Sequence, residues 1–479
     1  MTNIVVLYLV LLLGVGAWKA FRVKTHEDFA LAGRSLSPWI LVGTMLATWI
    51  GTGSILGNAG KAYEIGFGAL ILPAGGVLGI ALLTQISGKI RGMDTFTVPE
   101  IIYKRFGSGA RNWTVVALVL AYLVIVSYQY NAGGAVLHTI FNSEGGQSWM
   151  TLERATMVAA LFIVLYTVLA GLLSVVYTDV ANGVIMTLVL VIAFPILWLK
   201  AGGMSGMQQS FILQGNPEKI SFFGRFTPLQ MINYMLPPFL LVLGDANMYQ
   251  RFSAAASRRG ISKATLILIL AVLLIECLII ATAAVSASLV PDADNGRHIL
   301  IHVAANFLPD LLGGLFFATI IGIIISTADS YLLVPATTLM RDIYLSYINP
   351  QADDHRIVLY SRTLVIILGF AAWIISKGFA NSPGFFERAL YAYTIYGAAI
   401  TPSLMAALFW QGATPRGALY SIGAGVTTTI LWQESPIFAW LLGENIVSNT
   451  DAVLPAITLS ILFLVFGSLW DGGRSASAT

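Results

Sequence analysis

Apolar residues run along this chain in long stretches, and polar ones gather in the short intervals between them. A helix needs about 20 apolar residues to cross the hydrocarbon of a bilayer. Stretches of that kind lie near 3–20, 36–57, 66–87, 113–141, 151–170, 177–200, 227–249, 262–289, 310–340, 356–378, 384–410, 415–433 and 452–470. The pattern predicts an all-α polytopic membrane protein of about 13 transmembrane helices. Two of the stretches contain their own breakers. The second holds Gly51, Gly53, Gly57 and Gly60, with Thr48, Thr52, Ser54 and Asn58 between them. Glycine weakens a helix by about 1 kcal/mol against alanine. Such a span is expected to open and release backbone carbonyls, which lipid tolerates only where they line a cavity or bind something. The competing reading is close helix packing through small residues. The seventh stretch carries Pro237, Pro238 and Gly244 before Asp245, and proline costs about 3 kcal/mol inside a helix. Interrupted helices at matching places in two five-span halves point to a transporter site, and an odd number of spans per half inverts one half against the other.

Composition strengthens the membrane reading. Of 479 residues, 57% are hydrophobic and 10% charged, where soluble domains carry about 25% charged residues. The net charge of +3 is too small to draw nucleic acid. Cys277 is the lone cysteine and the five histidines lack metal spacing, so neither a disulfide nor a zinc site is expected. The first basic residue, Lys19, follows the first apolar run, which is the reverse of a signal peptide. That order predicts a retained helix with its N-terminus outside. Lys19, Arg22, Lys24, Arg34, Lys89, Arg91, Lys104, Arg105, Arg111, Arg251, Arg258, Arg259, Lys263, Arg341, Arg356, Arg362, Arg416 and Arg474 then fall on one side with the C-terminus, and fewer bases, Arg297 among them, on the other. The richer side is read as cytoplasmic, in a plasma (inner) membrane. No soluble catalytic or signalling domain is recognised, and no nucleophile–base or metal constellation marks an enzyme.

The ninth stretch carries the chemistry. Ser326 and Thr327 follow Ile323 by three and four residues, and Asp329 and Ser330 follow Ser326 by three and four, spacings that share a helix face. Hydroxyls and a carboxylate in an apolar helix can coordinate a small hard cation, and a membrane carboxylate is usually functional. Asp245 and Glu276 are further acidic residues within stretches, and no Lys or Arg sits at the centre of any. Glu276 is either functional or a protonated group bonded to a neighbouring helix. Tyr128, Gln129, Tyr130, Tyr391, Tyr393 and Tyr396 are available to line or gate a cavity.

Five landmarks occur in order: Gly33-Arg34-Ser35-Leu36, Ala47-Thr48-Trp49-Ile50-Gly51, the run from Ala170 through Asp179 to Val180, Tyr249-Gln250-Arg251-Phe252, and Ser326-Thr327-Ala328-Asp329-Ser330. On these the chain resembles the sodium:solute symporter family, which includes sodium–proline, sodium–galactose and choline transporters. The resemblance implies a leucine-transporter-type core of five plus five inverted helices. It implies a sodium site built from the carbonyls of Ala47, Ile50 and Ile323 and the hydroxyls of Ser326 and Thr327. A second sodium, bound in some members, would fall to Asp179, Ser326, Asp329 and Ser330. Pro73 and Ile125 stand where galactose carriers have a glutamate and an asparagine, which argues against a sugar. Trp49 matches one wall of the choline transporter's aromatic cage, but Leu78, Ile125 and Asp245 replace the rest, and packing explains Trp49 equally well.

The expectation is a sodium-coupled secondary active symporter. It would import a small polar or zwitterionic solute, an amino acid or related amine, by alternating access. Trp49, Ser54, Asn58, Gln129, Asp245 and Glu276 are the candidate solute residues. The alternatives are a membrane sensor that keeps the transporter fold, or a proton-coupled carrier of a monocarboxylate or other solute. The expected organisation is a leading helix and linker at 1–32, a ten-helix core at 33–410 with repeats 33–200 and 227–410, and two further helices with a tail at 411–479. Its partners are the solute, Na+ and the lipid bilayer, with a monomer as the working unit.

Overall fold

The computed structural model describes residues 1–20, 25–93, 95–142, 150–293, 296, 298–379 and 384–476. Arg22, Lys24 and Arg297, used above for orientation, lie outside them. Each predicted stretch has its helix. Among the described residues, eight helices are long and apolar enough to cross a membrane, and the bent pair Pro38–Trp49 and Gly53–Ile71 makes a ninth. Thr2–Ala20, Ala74–Gly92, Pro228–Gly244 and Pro415–Glu434 take the first, third, seventh and twelfth places. The third is dilute in apolar residues because it carries glycines and ends on Lys89 and Arg91.

Polar caps set where spans begin. Ser37 accepts from the Ile40 amide, with Pro38 at the first helical position. Thr151, Thr227, Ser257, Asp353 and Thr414 do the same for the fifth, seventh, eighth, tenth and twelfth spans. Each such cap stabilises a helix start by about 1 kcal/mol. The fifth and sixth spans are one run, Leu152–Lys200, folded at Gly171. Its φ of +59° suits glycine, and a side chain there would meet the Phe29 ring at 3.0 Å.

Burial ranks the spans. The ninth, Asp310–Thr338 and its continuation Leu339–Ile348, is 83% buried over its most apolar window, and the eleventh, Phe385–Phe409, 72%. The thirteenth, Val453–Ala476, is 28% buried over its own window. The ninth and eleventh therefore form the interior, and the thirteenth faces lipid.

Both interrupted spans are interrupted, though not as the residues alone indicated. In the second, Pro38–Trp49 ends at Ile50, whose ψ of 96° leaves the helical region. The chain resumes as the wide turns Gly53–Asn58, then Ala59–Ile65 and the tight turns Gly66–Ile71, bent by 53°. The predicted third stretch, from 66, therefore starts late: residues 66–71 finish the broken span, and the helix begins at Ala74 behind Pro73. In the seventh, Pro228–Gly244 runs on through Pro237 and Pro238 and breaks at Asp245, before Ala246–Ala254. Proline's fixed φ is itself helical, so each costs a donor rather than a turn. The break falls where the Asp245 side chain accepts from the Asn247 amide and starts a new helix. Hydroxyls from the eleventh span bond to the backbone around it: Thr401 donates to Leu240 O (2.7 Å) and Tyr396 to Gly244 O (2.8 Å). At the opposite end of the second span, Leu36 pairs with the backbone of Ala254 and Ala256 at 3.2 and 3.0 Å, tying the two broken spans together.

Candidate functional site

The break in the second span faces the ninth. Thr327 Oγ1 stands 3.4 Å from the Ala47 carbonyl oxygen and 3.5 Å from that of Ile50. A good O–H···O bond is about 2.7–2.8 Å. The longer spacing would also accommodate two ligands at right angles about a cation with metal–oxygen distances of about 2.4 Å, the range of Ca2+, an ion close to Na+ in size. Gly51 permits the approach, since a Cβ there would lie 3.1 Å from both Thr327 Oγ1 and Cγ2. Ile323 is fully buried one helical turn before Thr327. Ser326, the fifth expected ligand, turns its hydroxyl to Asp179 Oδ1.

That aspartate belongs to a buried ionic cluster centred on Arg251. The guanidinium is fully buried, 3.5 Å from Asp179 Oδ2. It donates to Ser330 Oγ (2.7 Å), Thr44 Oγ1 (3.0 Å) and the Asn247 carbonyl (3.3 Å). Thr44 in turn donates to Asp179 Oδ2 at 2.6 Å. The count of bases placed Arg251 in a cytoplasmic connection. The structure instead folds Ala246–Ala254 back into the protein and carries the charge inward. Of the residues expected around a second sodium, Asp179 and Ser330 are thus bridged by a guanidinium, and Asp329 accepts from Thr167 on the fifth span. The other oxygen of Asp329 is buried without a partner among the described residues.

A third cluster lies on the far side of the break. Glu276, from the eighth span, is 2% exposed. Its carboxylate accepts from Ser54 Oγ (2.5 Å) and Asn58 Nδ2 (3.0 Å). Trp49, Ser54, Asn58 and Glu276 line one cavity, with Tyr234, Phe386 and Tyr393 as its aromatic walls. Its volume is about 40 Å³, room for a few waters. Trp49 also packs against Gly76, whose missing Cβ would otherwise fall 2.2 Å from the indole, so it is both wall and packing residue. Gln129 and Asp245 do not line this cavity. Gln129 accepts from Thr52 Oγ1 beside the break, and its Nε2 is buried without a partner among the described residues. Asp245 accepts from Tyr122 Oη at 2.5 Å, and the Tyr122 ring packs against Tyr331 and Tyr396 with centroids 4.6 and 5.3 Å away.

Sequence reasoning missed Arg251 and Tyr122. Arg251 stood in a quoted landmark, Tyr249-Gln250-Arg251-Phe252, whose apolar flank Ala254-Ala255-Ala256 was the available sign of burial. Tyr122 lay among ordinary apolar residues and gave none.

Residues 29–425 match the profile of the sodium:solute symporter family. Among curated proteins the chain is similar to the sodium/proline symporter of Escherichia coli (strain K12), 24% identical over 99% of this chain and 94% of that protein. It is 25% identical to the sodium/glucose cotransporter of Vibrio parahaemolyticus, over 97% and 89%. Among solved structures it resembles a substrate-bound, outward-open Na+-coupled sialic acid symporter with a TM-score of 0.80, at 18% identity over 98% of this chain and 97% of that one. It also resembles MhsT in complex with L-phenylalanine, with a TM-score of 0.58 at 14% identity over 90% and 97%. At these identities the structural likeness speaks for the fold, the leucine-transporter-type inverted core.

Proposed function

The chain belongs to the sodium:solute symporter family, and from that premise we propose that it couples the entry of Na+ to the import of a small solute carrying an amine, an amino acid or related zwitterion. It is an integral membrane transporter and not an enzyme. The observation that carries the solute class is the Glu276 carboxylate, buried and hydrogen-bonded at the edge of an aromatic-walled cavity. A desolvated carboxylate is a strong partner for an ammonium group, and the Trp49 indole adds a face that attracts cations by about 0.5–2 kcal/mol. The names of the bacterial relatives include proline symporters, which agrees with this class.

The ion would sit between Ala47, Ile50 and Thr327, with Ile323 and Ser326 completing its ligands once the Ser326 hydroxyl leaves Asp179. A cation there pulls the second span onto the ninth. It can shift the outward–inward equilibrium only by its difference in affinity between the two states. Because Arg251 already bridges Asp179 and Ser330, we assign one sodium ion per cycle rather than two. The working protein is a monomer in the plasma membrane, N-terminus outside and C-terminus cytoplasmic, with no nucleic-acid partner. Its transport core is 33–410, with repeats 33–200 and 227–410, flanked by 1–32 and 411–479.

The test is uptake into proteoliposomes with an imposed sodium gradient, in competition with amino acids, amines, monocarboxylates and sugars. Sodium-dependent uptake blocked by amino acids or amines is expected. Competition by sugars or monocarboxylates alone would overturn the solute class, and uptake that ignores sodium would overturn the coupling.

A further inference from the structure

The first span stands outside the ten-helix core, yet it sends one polar side chain into it. Tyr8 Oη donates to Asn182 Oδ1 at 2.5 Å, and Asn182 Nδ2 donates to the Gly322 carbonyl at 3.1 Å. This relay joins three spans: the first, the sixth and the ninth. The seat for it is made by omission. A Cβ on Gly322 would lie 2.0 Å from Tyr8 Oη, and one on Gly314 would lie 2.6 Å from Ile4 Cδ1. Glycines along the ninth span thus let the first lie against its backbone.

The two ends of the relay are placed beside the ion ligands. Asn182 follows Asp179 by three residues on the sixth span, and Gly322 precedes Ser326 by four on the ninth, so each shares a helix face with its neighbour. Asp179 and Ser326 are themselves bonded across the same two spans. Gly322 is also the residue next to Ile323. We propose that Tyr8 is a positioning residue of the sodium site: through Asn182 it fixes the register of the ninth span against the sixth, and so holds Ser326 and Thr327 opposite the break in the second. The first span then has a function in ion binding that its place at the margin of the fold does not announce. The inference rests on the sodium site proposed above.

Tyr8→Phe removes the hydroxyl and keeps the ring. The sodium concentration for half-maximal uptake should rise about two- to tenfold, the effect of one net hydrogen bond. Solute KM at saturating sodium and the amount of protein in the membrane should hold. Asn182→Ala should raise the sodium midpoint similarly, and the double variant should be no worse than Asn182→Ala alone, because the two act through one relay. Ile4→Ala is the control, since it loosens the same helix seam without touching the relay. It should lower the melting temperature and leave the sodium midpoint unchanged. For any variant that inserts poorly, the sodium-dependent rise in melting temperature of the purified protein gives the midpoint without transport. A wild-type sodium midpoint in Tyr8→Phe overturns the proposal, as does an equal shift in Ile4→Ala. A wild-type protein with no sodium response would sink the sodium site and this inference with it, whereas an inert Tyr8 in a sodium-dependent protein sinks this inference alone.

Discussion

Replacing Glu276 with glutamine separates solute recognition from stability. The side chain keeps its shape and loses its charge. Ser54 Oγ, 2.5 Å from one oxygen, can still donate to the amide carbonyl. Asn58 Nδ2, 3.0 Å from the other, would face an NH2 group, a clash of donors that an Asn58 amide flip relieves. For a solute with an ammonium group, losing a desolvated counter-charge costs about 2–5 kcal/mol. That corresponds to binding weaker by about 30-fold to a few thousand-fold. Stability should move the other way. A buried carboxylate with no cation beside it is costly, and its neutral isostere is not, so the melting temperature should hold or rise. The proposed sodium site is built from other residues, so the sodium midpoint should stay put. Calorimetric titration of the purified protein with the transported solute, beside thermal melts with and without sodium, reads all three quantities. Affinity within about threefold of wild type would refute the assignment of Glu276 to the amine. So would an affinity loss accompanied by a fall in melting temperature, since the charge would then be structural.

Thr327→Ala removes the hydroxyl proposed as a cation ligand; at about 1.5–3 kcal/mol for a bond to a charged group, the sodium midpoint of uptake should rise by about 10- to 150-fold. Thr327→Ser should stay near wild type, and equal effects of the two would point to packing. Arg251→Met leaves Asp179 buried and unpaired, a loss of about 3–5 kcal/mol that should lower the melting temperature sharply; adding Asp179→Asn should restore much of it, and no restoration would mean that the pair is not the cause. Uptake as a function of sodium should be hyperbolic, with one charge moved per neutral solute; a sigmoidal curve would show that a second ion binds despite the guanidinium.

The spans were legible because bilayer thickness imposes a length on every one of them. The broken second span was legible for a related reason, since four glycines and four polar residues have no other place in a membrane helix than at a bend or a contact. Pro237 and Pro238 misled about the seventh because proline advertises a break that its own φ does not require. The true break depends on Asp245 reaching a backbone amide two residues on, and on Tyr396 and Thr401 arriving from 150 residues away. Glu276 was legible as an anomaly. Its partnership with Ser54 and Asn58 was not, because a contact across more than 200 residues leaves no trace in spacing. Arg251 shows the limit of counting charges. Positive residues report topology only when they stay in a loop, and this one is drawn inward by Asp179, a partner on another span.

The break at Asp245 has a meaning beyond its own neighbourhood. Tyr396 Oη accepts from the Ala246 amide at 3.1 Å while donating to the Gly244 carbonyl, and so stands in for the missing backbone link. Tyr122 holds the Asp245 side chain from the fourth span, as Thr327 approaches the other break from the ninth, five spans later. Two sockets of equivalent origin in an inverted fold have therefore been closed by different means. One is plugged by the protein's own side chains. The other is the place proposed above for an ion that comes and goes with the salt outside. Were both plugged the protein would be rigid, and were both open it would idle at any sodium concentration. On the proposed ion site one fastening is permanent and one reversible, and the hydroxyl of Tyr396 makes that difference between the halves.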